Sequence, residues 1–154
     1  MPPFEQIVTE HGAVVLRVCR AMLPPADADD AWSETFLAAL RAYPDLPPGS
    51  NVRAWLATIA HRKAIDRHRA AARAPVPAGA LPDRPSPHGI PTEPDTGLWA
   101  AVRALPPKQR AALLLRFAGD LSHREVAAAL GCSEEAARRS AHEGLKRLRE
   151  ELAA

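Results

Sequence analysis

Basic side chains cluster near the start of the last predicted helix, where Arg138, Arg139 and His142 lie within five residues. A guanidinium group donates to guanine edges and to phosphate oxygens, so these residue types suit contact with nucleic acid. Apolar residues recur at helical spacing along the same segment, which predicts one buried stripe with the basic residues projecting from the other side. The residues of that stripe are Ala137, Ala141, Leu145, Leu148 and Leu152.

The segment before this helix has the pattern of a helix-turn-helix. Ser122 and Glu125 are spaced as the capping box that begins a helix, and Gly131 supplies a corner that tolerates a left-handed backbone. Ala127 and Ala128 are predicted to let the two helices cross closely. In such motifs the first turns of the second helix read base edges in the major groove, so the pattern predicts duplex DNA binding. The candidate contacts are Arg124, Arg138, Arg139 and His142.

Charge separates strongly in the first half of the chain, although the net charge of the whole is only +2. Residues 24–45 hold five acids and one base, and residues 51–73 hold six bases and one acid. An acidic helix beside a basic helix suggests two partners, a basic protein surface and a polyanion. Two solvated faces of opposite sign are the alternative.

The composition favours an all-α fold of two small domains. Ala, Leu, Arg and Glu dominate, and aromatic residues make up only 5% of the 154 residues. A proline-rich linker is predicted over residues 74–96, because prolines exclude helices there, and it divides a unit of about 4–73 from one of about 97–152. In the first unit Asp27 is a plausible N-cap for a helix that sets Trp32, Phe36, Leu40 and Tyr43 on one stripe.

Several functional classes find little support in the sequence. No apolar run approaches the length of a membrane span, and no secretory segment opens the chain, which indicates a soluble cytoplasmic protein without membrane insertion. Cys19 and Cys132 form no CxxC pair and are expected to be small buried hydrophobes. A helical enzyme using His61, Asp66 and His68 is a further alternative, but metal ligands on one helical face usually recur at three or four residues, and the two histidines are seven apart. We therefore expect no catalytic residue, no metal site and no cofactor.

Three stretches in this order resemble a bacterial RNA polymerase sigma factor of the extracytoplasmic-function (ECF) group. They are "DADDAWSETFLAAL", "NVRAWLATIAHRKAIDRHR" and, after the proline-rich gap, "LPPKQRAALLLRFAGDLSHREVAAALGCSEEAARRS". The resemblance implies a helical sigma domain two over 4–73 and a helix-turn-helix sigma domain four over 97–152. It also implies a promoter-specificity subunit that binds core RNA polymerase and directs transcription initiation at −10 and −35 elements.

The resemblance assigns a role to each charged helix. The acidic helix would dock on the β′ clamp helices of the polymerase through Asp30, Ser33 and Glu34, and domain four would meet the β flap and read the −35 element. The basic helix would bind and open the −10 element. Its candidate contacts are Asn51, Arg53, Trp55, Arg62, Lys63 and Arg67. An anti-sigma protein is a further partner that the resemblance suggests, although no residue identifies one.

Two positions depart from the family pattern. Arg62 stands where Asn is usual for holding a flipped −10 base, and Glu143 stands where a basic residue is common in the recognition helix. Arginine cannot accept a hydrogen bond, so the base preference at −10 is expected to differ. The other function considered is an autonomous helix-turn-helix regulator that binds duplex DNA as a symmetric dimer without polymerase.

Overall fold

The computed structural model describes residues 2–73 and 97–153, which form seven α-helices and no strand. The predicted linker, 74–96, lies outside the described residues. The helices are α1 (Phe4–Arg20), α2 (Pro25–Ala42), α3 (Val52–Arg73), α4 (Leu98–Arg103), α5 (Pro107–Leu113), α6 (His123–Leu130) and α7 (Glu134–Ala153). A 3₁₀ turn, Tyr43–Asp45, follows α2, and a π-helical turn, Leu114–Ala118, continues α5. The all-α prediction is confirmed.

Helices α1, α2 and α3 pack against one another and form the first unit. Trp32 lies inside this bundle, and its indole Nε1 donates to the carbonyl of Gly12 on α1 at 2.9 Å. Phe36 is also buried, and Phe4 meets its ring edge-on with centroids 6.3 Å apart. At the start of α3 the side chain of Asn51 accepts from the backbone N–H of Ala54 at 3.1 Å, as an N-cap does.

Two details of the first unit differ from the sequence-based expectation. Helix α2 begins at Pro25, so Asp27 lies inside its first turn and is not the N-cap. Proline fits there because the first turn leaves its backbone N–H groups unpaired. Leu40 was placed on the buried stripe with Trp32 and Phe36, but it is 53% exposed. The bundle has only three helices, and none of them covers that side of α2 near its end.

Helices α4 to α7 form the second unit, in which α5 and α6 both pack on α7. The capping box at the start of α6 is confirmed, since Ser122 and Glu125 exchange both of its hydrogen bonds. Gly131 ends α6 in the left-handed region at φ 69°, which a residue with a Cβ rarely adopts. The side chain of Ser133 then accepts from Ala136 at 3.1 Å and caps α7. The predicted helix-turn-helix is therefore present.

Three residues of the second unit are more exposed than the sequence suggested. Ala127 is buried at the crossing, but the adjacent Ala128 is exposed, because successive residues of a helix face different directions. Leu152, placed at the end of the buried stripe of α7, is 54% exposed, because α7 extends past the helices that pack on it. Cys132 is exposed in the turn after α6, whereas Cys19 is buried as expected.

The second unit packs against both α1 and α3 of the first. The guanidinium Nε of Arg53 donates to the carbonyl of Ala118 at 3.0 Å, and Arg103 donates to the carbonyl of Arg20 at 2.8 Å. Gly119 approaches α3 so closely that a Cβ added there would lie 2.7 Å from the Cβ of Ala57. A real side chain cannot approach that closely, so glycine allows the contact. Buried residues of both units consequently belong to one continuous apolar core.

Candidate nucleic-acid and polymerase interfaces

The basic residues of the helix-turn-helix lie on an exposed surface. Arg138 is 60% exposed and makes a weak 3.4 Å contact with Glu134 one turn earlier on α7. Arg139 and His142 are also exposed on α7, and Arg124 is exposed on α6. The capped start of α7 thus carries several donors that are not held inside the unit.

Glu143 lies on the side of α7 that meets α5. The side-chain amide of Gln109 donates to its carboxylate at 3.4 Å. The carboxylate therefore has a partner within the protein. Glu143, which departs from the family pattern, therefore has a contact within the protein that explains its position without contact with a DNA base.

The candidate −10 residues lie on α3, partly against the second unit. Asn51, Trp55 and Arg62 line a cleft of about 540 Å³, which we call the α3–α6 cleft. Its opposite wall includes Leu121, Glu125 and Ala128 of the helix-turn-helix. Arg62 is exposed and Trp55 is half-buried. In this arrangement the helix-turn-helix faces the surface that was predicted to bind the −10 strand.

The remaining basic candidates of α3 differ in how far they are engaged within the protein. Arg53 is half-buried and bonds the carbonyl of Ala118, as described above. Lys63 is half-buried. Arg67 makes three ion pairs with α2, reaching Glu34 at 2.6 Å, Asp30 at 3.0 Å and Asp27 at 3.2 Å.

These three ion pairs join the acidic helix to the basic helix. Burial disfavours the charged form of Arg67, but the hydrogen bond to Asp27 and the charges of Glu34 and Asp30 outweigh it and raise the pKa of Arg67. Arg67, which is predicted to contact DNA, therefore pairs with Asp30 and Glu34, which are predicted to contact polymerase. Charge pattern could not reveal this, because it does not show which faces of α2 and α3 meet.

An apolar surface beside the acidic residues escaped the sequence reasoning. Leu37 and Leu40 are 55% and 53% exposed on α2. With Phe4 and Ser33 they line a shallow groove. A signal was available, because Leu37 follows the buried Phe36 directly and so cannot share its face of the helix. The exposed leucines and the groove together form an apolar surface, and contiguous apolar surfaces on a protein can mark a site that binds another protein.

His61 and His68, the histidines of the alternative metal site, have other surroundings in the structure. His61 is 6% exposed, and burial together with the charges of Arg110 and Arg62 lowers its pKa to about 4. His68 donates from Nε2 to the carbonyl of Met22 at 2.6 Å. Within 2–73 and 97–153, His, Cys, Asp and Glu side chains form no group of three that could hold a metal ion. In the same ranges no helix is both long and apolar enough to cross a bilayer.

Comparison with known proteins identifies both units. The family model for sigma-70 region 2 matches residues 7–74, and the model for sigma-70 region 4 matches residues 96–148. The ECF RNA polymerase sigma factor SigD of Mycobacterium tuberculosis is 36% identical over 92% of this chain and 73% of its own length. The RNA polymerase sigma-E factor of Streptomyces coelicolor is 31% identical over 98% of this chain and 86% of its own.

Solved structures show the same fold. The sigma factor RpoE of Bartonella quintana, solved with the anti-sigma factor NepR, superposes with a TM-score of 0.76. It is 22% identical, and the match covers 98% of this chain and 97% of that one. CnrH, solved with the cytosolic domain of CnrY, has a TM-score of 0.64 and 28% identity, over 97% of this chain and 87% of that one.

The two matched regions and their order define a sigma factor, a regulatory subunit of RNA polymerase. The chain belongs to the ECF group of sigma factors. It therefore binds core RNA polymerase and promoter DNA and directs transcription initiation at −10 and −35 elements. This outcome confirms the resemblance and favours it over an autonomous dimeric regulator.

Proposed function

We propose that the chain divides promoter recognition between its two units and has no catalytic activity or cofactor of its own. The unit of 4–73 would bind the polymerase clamp and the −10 element, and the unit of 97–152 would bind the β flap and the −35 element. The exposed basic cluster at the capped start of α7 carries this proposal. The protein would act in the cytoplasm, where RNA polymerase works.

The −35 contacts are assigned to Arg138, Arg139, His142 and Arg124. The first three lie on the exposed side of α7 within its first three turns, and Arg124 lies on α6. A helix in the major groove reads bases with such N-terminal residues, and Arg is suited to bidentate contact with guanine. Glu143 is not included, because its carboxylate has a partner on α5.

The polymerase contact is assigned to the exposed side of α2. Asp30, Ser33 and Glu34 would supply the polar contacts, and the exposed Leu37 and Leu40 would add apolar area. Apolar residues beside acids suit a partner whose surface mixes basic and apolar side chains.

The anchor is tested by reversing the charge of Asp30 and Glu34 to Lys and measuring the affinity for core polymerase. Those changes also break ion pairs with Arg67, so Arg67→Gln serves as the matched control. We expect the Lys variant to bind core at least ~tenfold more weakly and Arg67→Gln to bind like the parent. Equal losses in both variants would show that the acids act by holding α2 to α3 instead of by touching polymerase.

The −10 contact is assigned to α3, with Arg62 and Trp55 at its centre. Arg62 is exposed at the rim of the α3–α6 cleft, where a displaced base could stack on its guanidinium plane. Asn51, Arg53, Lys63 and Arg67 remain proposed contacts, although Asn51 caps α3 and Arg67 is paired with three carboxylates. Arg62→Ala should slow promoter opening, measured by permanganate reactivity of unpaired thymines, more than it weakens closed-complex binding.

Engagement of the −10 strand requires the two units to move apart. The helix-turn-helix forms the opposite wall of the α3–α6 cleft, and Arg53 is bonded to Ala118. We propose that the free protein holds the two units in contact and that polymerase separates them. An anti-sigma protein remains a proposed partner. RpoE, whose fold this chain shares, was solved in complex with the anti-sigma factor NepR.

A further inference from the structure

A second cavity lies between the units, lined by α3 residues between 61 and 69. It has a volume of about 490 Å³, within the roughly 300–1,000 Å³ that small-molecule sites span. Met22 and Ile65 of the first unit and Ala111, Leu130 and Ala136 of the second form apolar parts of its wall. We call it the basic cavity, because the charged side chains that the described residues contribute to its wall are all cationic.

The described residues that line the basic cavity include three cations and no acid. Arg69 comes from α3, and Lys108 and Arg110 come from α5, with His61 and His68 also on the wall. Like charges facing one space repel one another, and an anion placed among them relieves that repulsion. The charge of the cavity therefore selects an anionic occupant.

Two buried polar atoms of lining residues have no hydrogen-bond partner among residues 2–73 and 97–153. The Nε2 of His61, a residue only 6% exposed, and the Nε of Arg110 are both buried and unpaired. Other groups nearby are satisfied, since Arg110 also donates from Nη1 to the carbonyl of Arg103 at 2.9 Å, and His68 bonds Met22. Buried polar groups in proteins are ordinarily paired, so the Nε of Arg110 is a donor that lacks an acceptor, whereas the role of His61 Nε2 depends on the tautomer of the ring.

We propose that the basic cavity is a binding site for a small organic carboxylate with an apolar body. The carboxylate would pair with the cationic side chains on the wall, Arg69, Lys108 and Arg110. Guanidinium and carboxylate match in geometry and charge, and the apolar body would lie against Ile65, Leu130 and Ala136. Because residues of both units line the cavity, an occupant favours the arrangement in which they touch.

The site is tested with decanoate as the probe and the full-length protein, below the concentration at which decanoate forms micelles. Calorimetry should show one molecule bound per chain. The neutral 1-decanol lacks the carboxylate, and the short acetate lacks the apolar body. Each should therefore bind at least ~tenfold more weakly than decanoate. Decyl phosphate distinguishes a carboxylate site from a general anion site, and tighter binding of the phosphate would overturn the choice of carboxylate.

Variants separate this site from non-specific adsorption. Arg110→Gln should weaken decanoate binding at least ~tenfold, since it removes a charged donor. Ala136→Leu should weaken it similarly by filling the cavity while all charges remain. Arg41→Gln, which removes an exposed cation of α2 outside the cavity, is the matched control and should bind like the parent. Melting curves identify any variant that has lost its fold.

A spectroscopic signature distinguishes occupancy from a distant effect. Burial and the charges of Arg110 and Arg62 lower the pKa of His61, and a bound carboxylate should raise it, as followed by its imidazole proton resonances. Absence of decanoate binding to the free chain, as expected if a protein segment is the true occupant, would overturn the proposal. So would binding that is insensitive to both Arg110→Gln and Ala136→Leu.

Discussion

Acidification should destabilise the protein through His61. This imidazole is 6% exposed, its Nε2 has no partner in the part of the chain that the structure describes, and its pKa is lowered from 6.5 to about 4 by burial and by Arg110 and Arg62. The folded state therefore binds the proton less readily than the unfolded state. The stabilisation from the neutral ring is fully present above pH 6.5 and is lost as the pH falls towards 4.

The size of this effect follows from the two pKa values. A fall in pKa from 6.5 to about 4 corresponds to about 3 kcal/mol when the pH lies below both values, and to about 2 kcal/mol at pH 5. At pH 5 most ordinary carboxylates, with pKa values of about 4, are still ionised, so the histidine contribution is separable there.

The measurement is the free energy of unfolding by urea at pH 7 and pH 5 for the parent and for His61→Gln. Gln keeps an amide where the ring nitrogen lies but does not titrate, and every other titrating group is common to both proteins. We expect the parent to lose about 2 kcal/mol more than the variant between the two pH values. An equal loss in both proteins would refute the reasoning, because His61 would then not be held neutral by its surroundings.

Three further outcomes are expected. Arg138→Ala or Arg139→Ala should each cost about 1–3 kcal/mol in promoter affinity and relax specificity at one −35 base pair, measured by binding to a set of single-base variants; a loss spread evenly over all sequences would indicate a phosphate contact. Gly119→Ala, which places a Cβ 2.7 Å from that of Ala57 on α3 and 2.9 Å from the carbonyl of Leu115 in its own unit, should increase binding of the free chain to a −10 single strand, whereas Gly144→Ala, whose Cβ meets only Gln109 of the same unit, should not; equal effects would argue against closure of the α3–α6 cleft. Residues 74–96, if extended at about 3.1 Å per residue, reach on the order of 70 Å, similar to 20 base pairs at about 3.4 Å each, so deleting half of them should abolish run-off transcription from a two-element promoter; full activity would show that the units do not bind both elements at that spacing.

Local signals in the sequence predicted the helix-turn-helix well. The capping box of Ser122 and Glu125 and the left-handed corner at Gly131 depend on residues close in the chain, and the structure confirms both. The periodicity of α2 likewise located the buried Trp32 and Phe36. Such features are set by backbone geometry over one or two turns, so a single sequence suffices to find them.

Contacts between distant segments could not be predicted in the same way. Charge counts separated an acidic helix from a basic one, but they did not show that Arg67 joins Asp27, Asp30 and Glu34 across 33 to 40 residues. The exposure of Leu40 could not be predicted for a similar reason. The helical period shows which residues share a face, but it does not show whether another helix covers that face. The basic cavity needs both units in place, and so no local pattern indicated it.

Run-off transcription with purified core RNA polymerase tests the central claim most directly. Core enzyme alone and core enzyme with the chain are compared on genomic fragments, and binding of the chain to core is followed by gel filtration. We expect co-elution with core and discrete transcripts that depend on the chain and begin downstream of paired −10 and −35 elements. A chain that does not co-elute with core, adds no transcript and binds duplex DNA alone as a dimer would contradict the account.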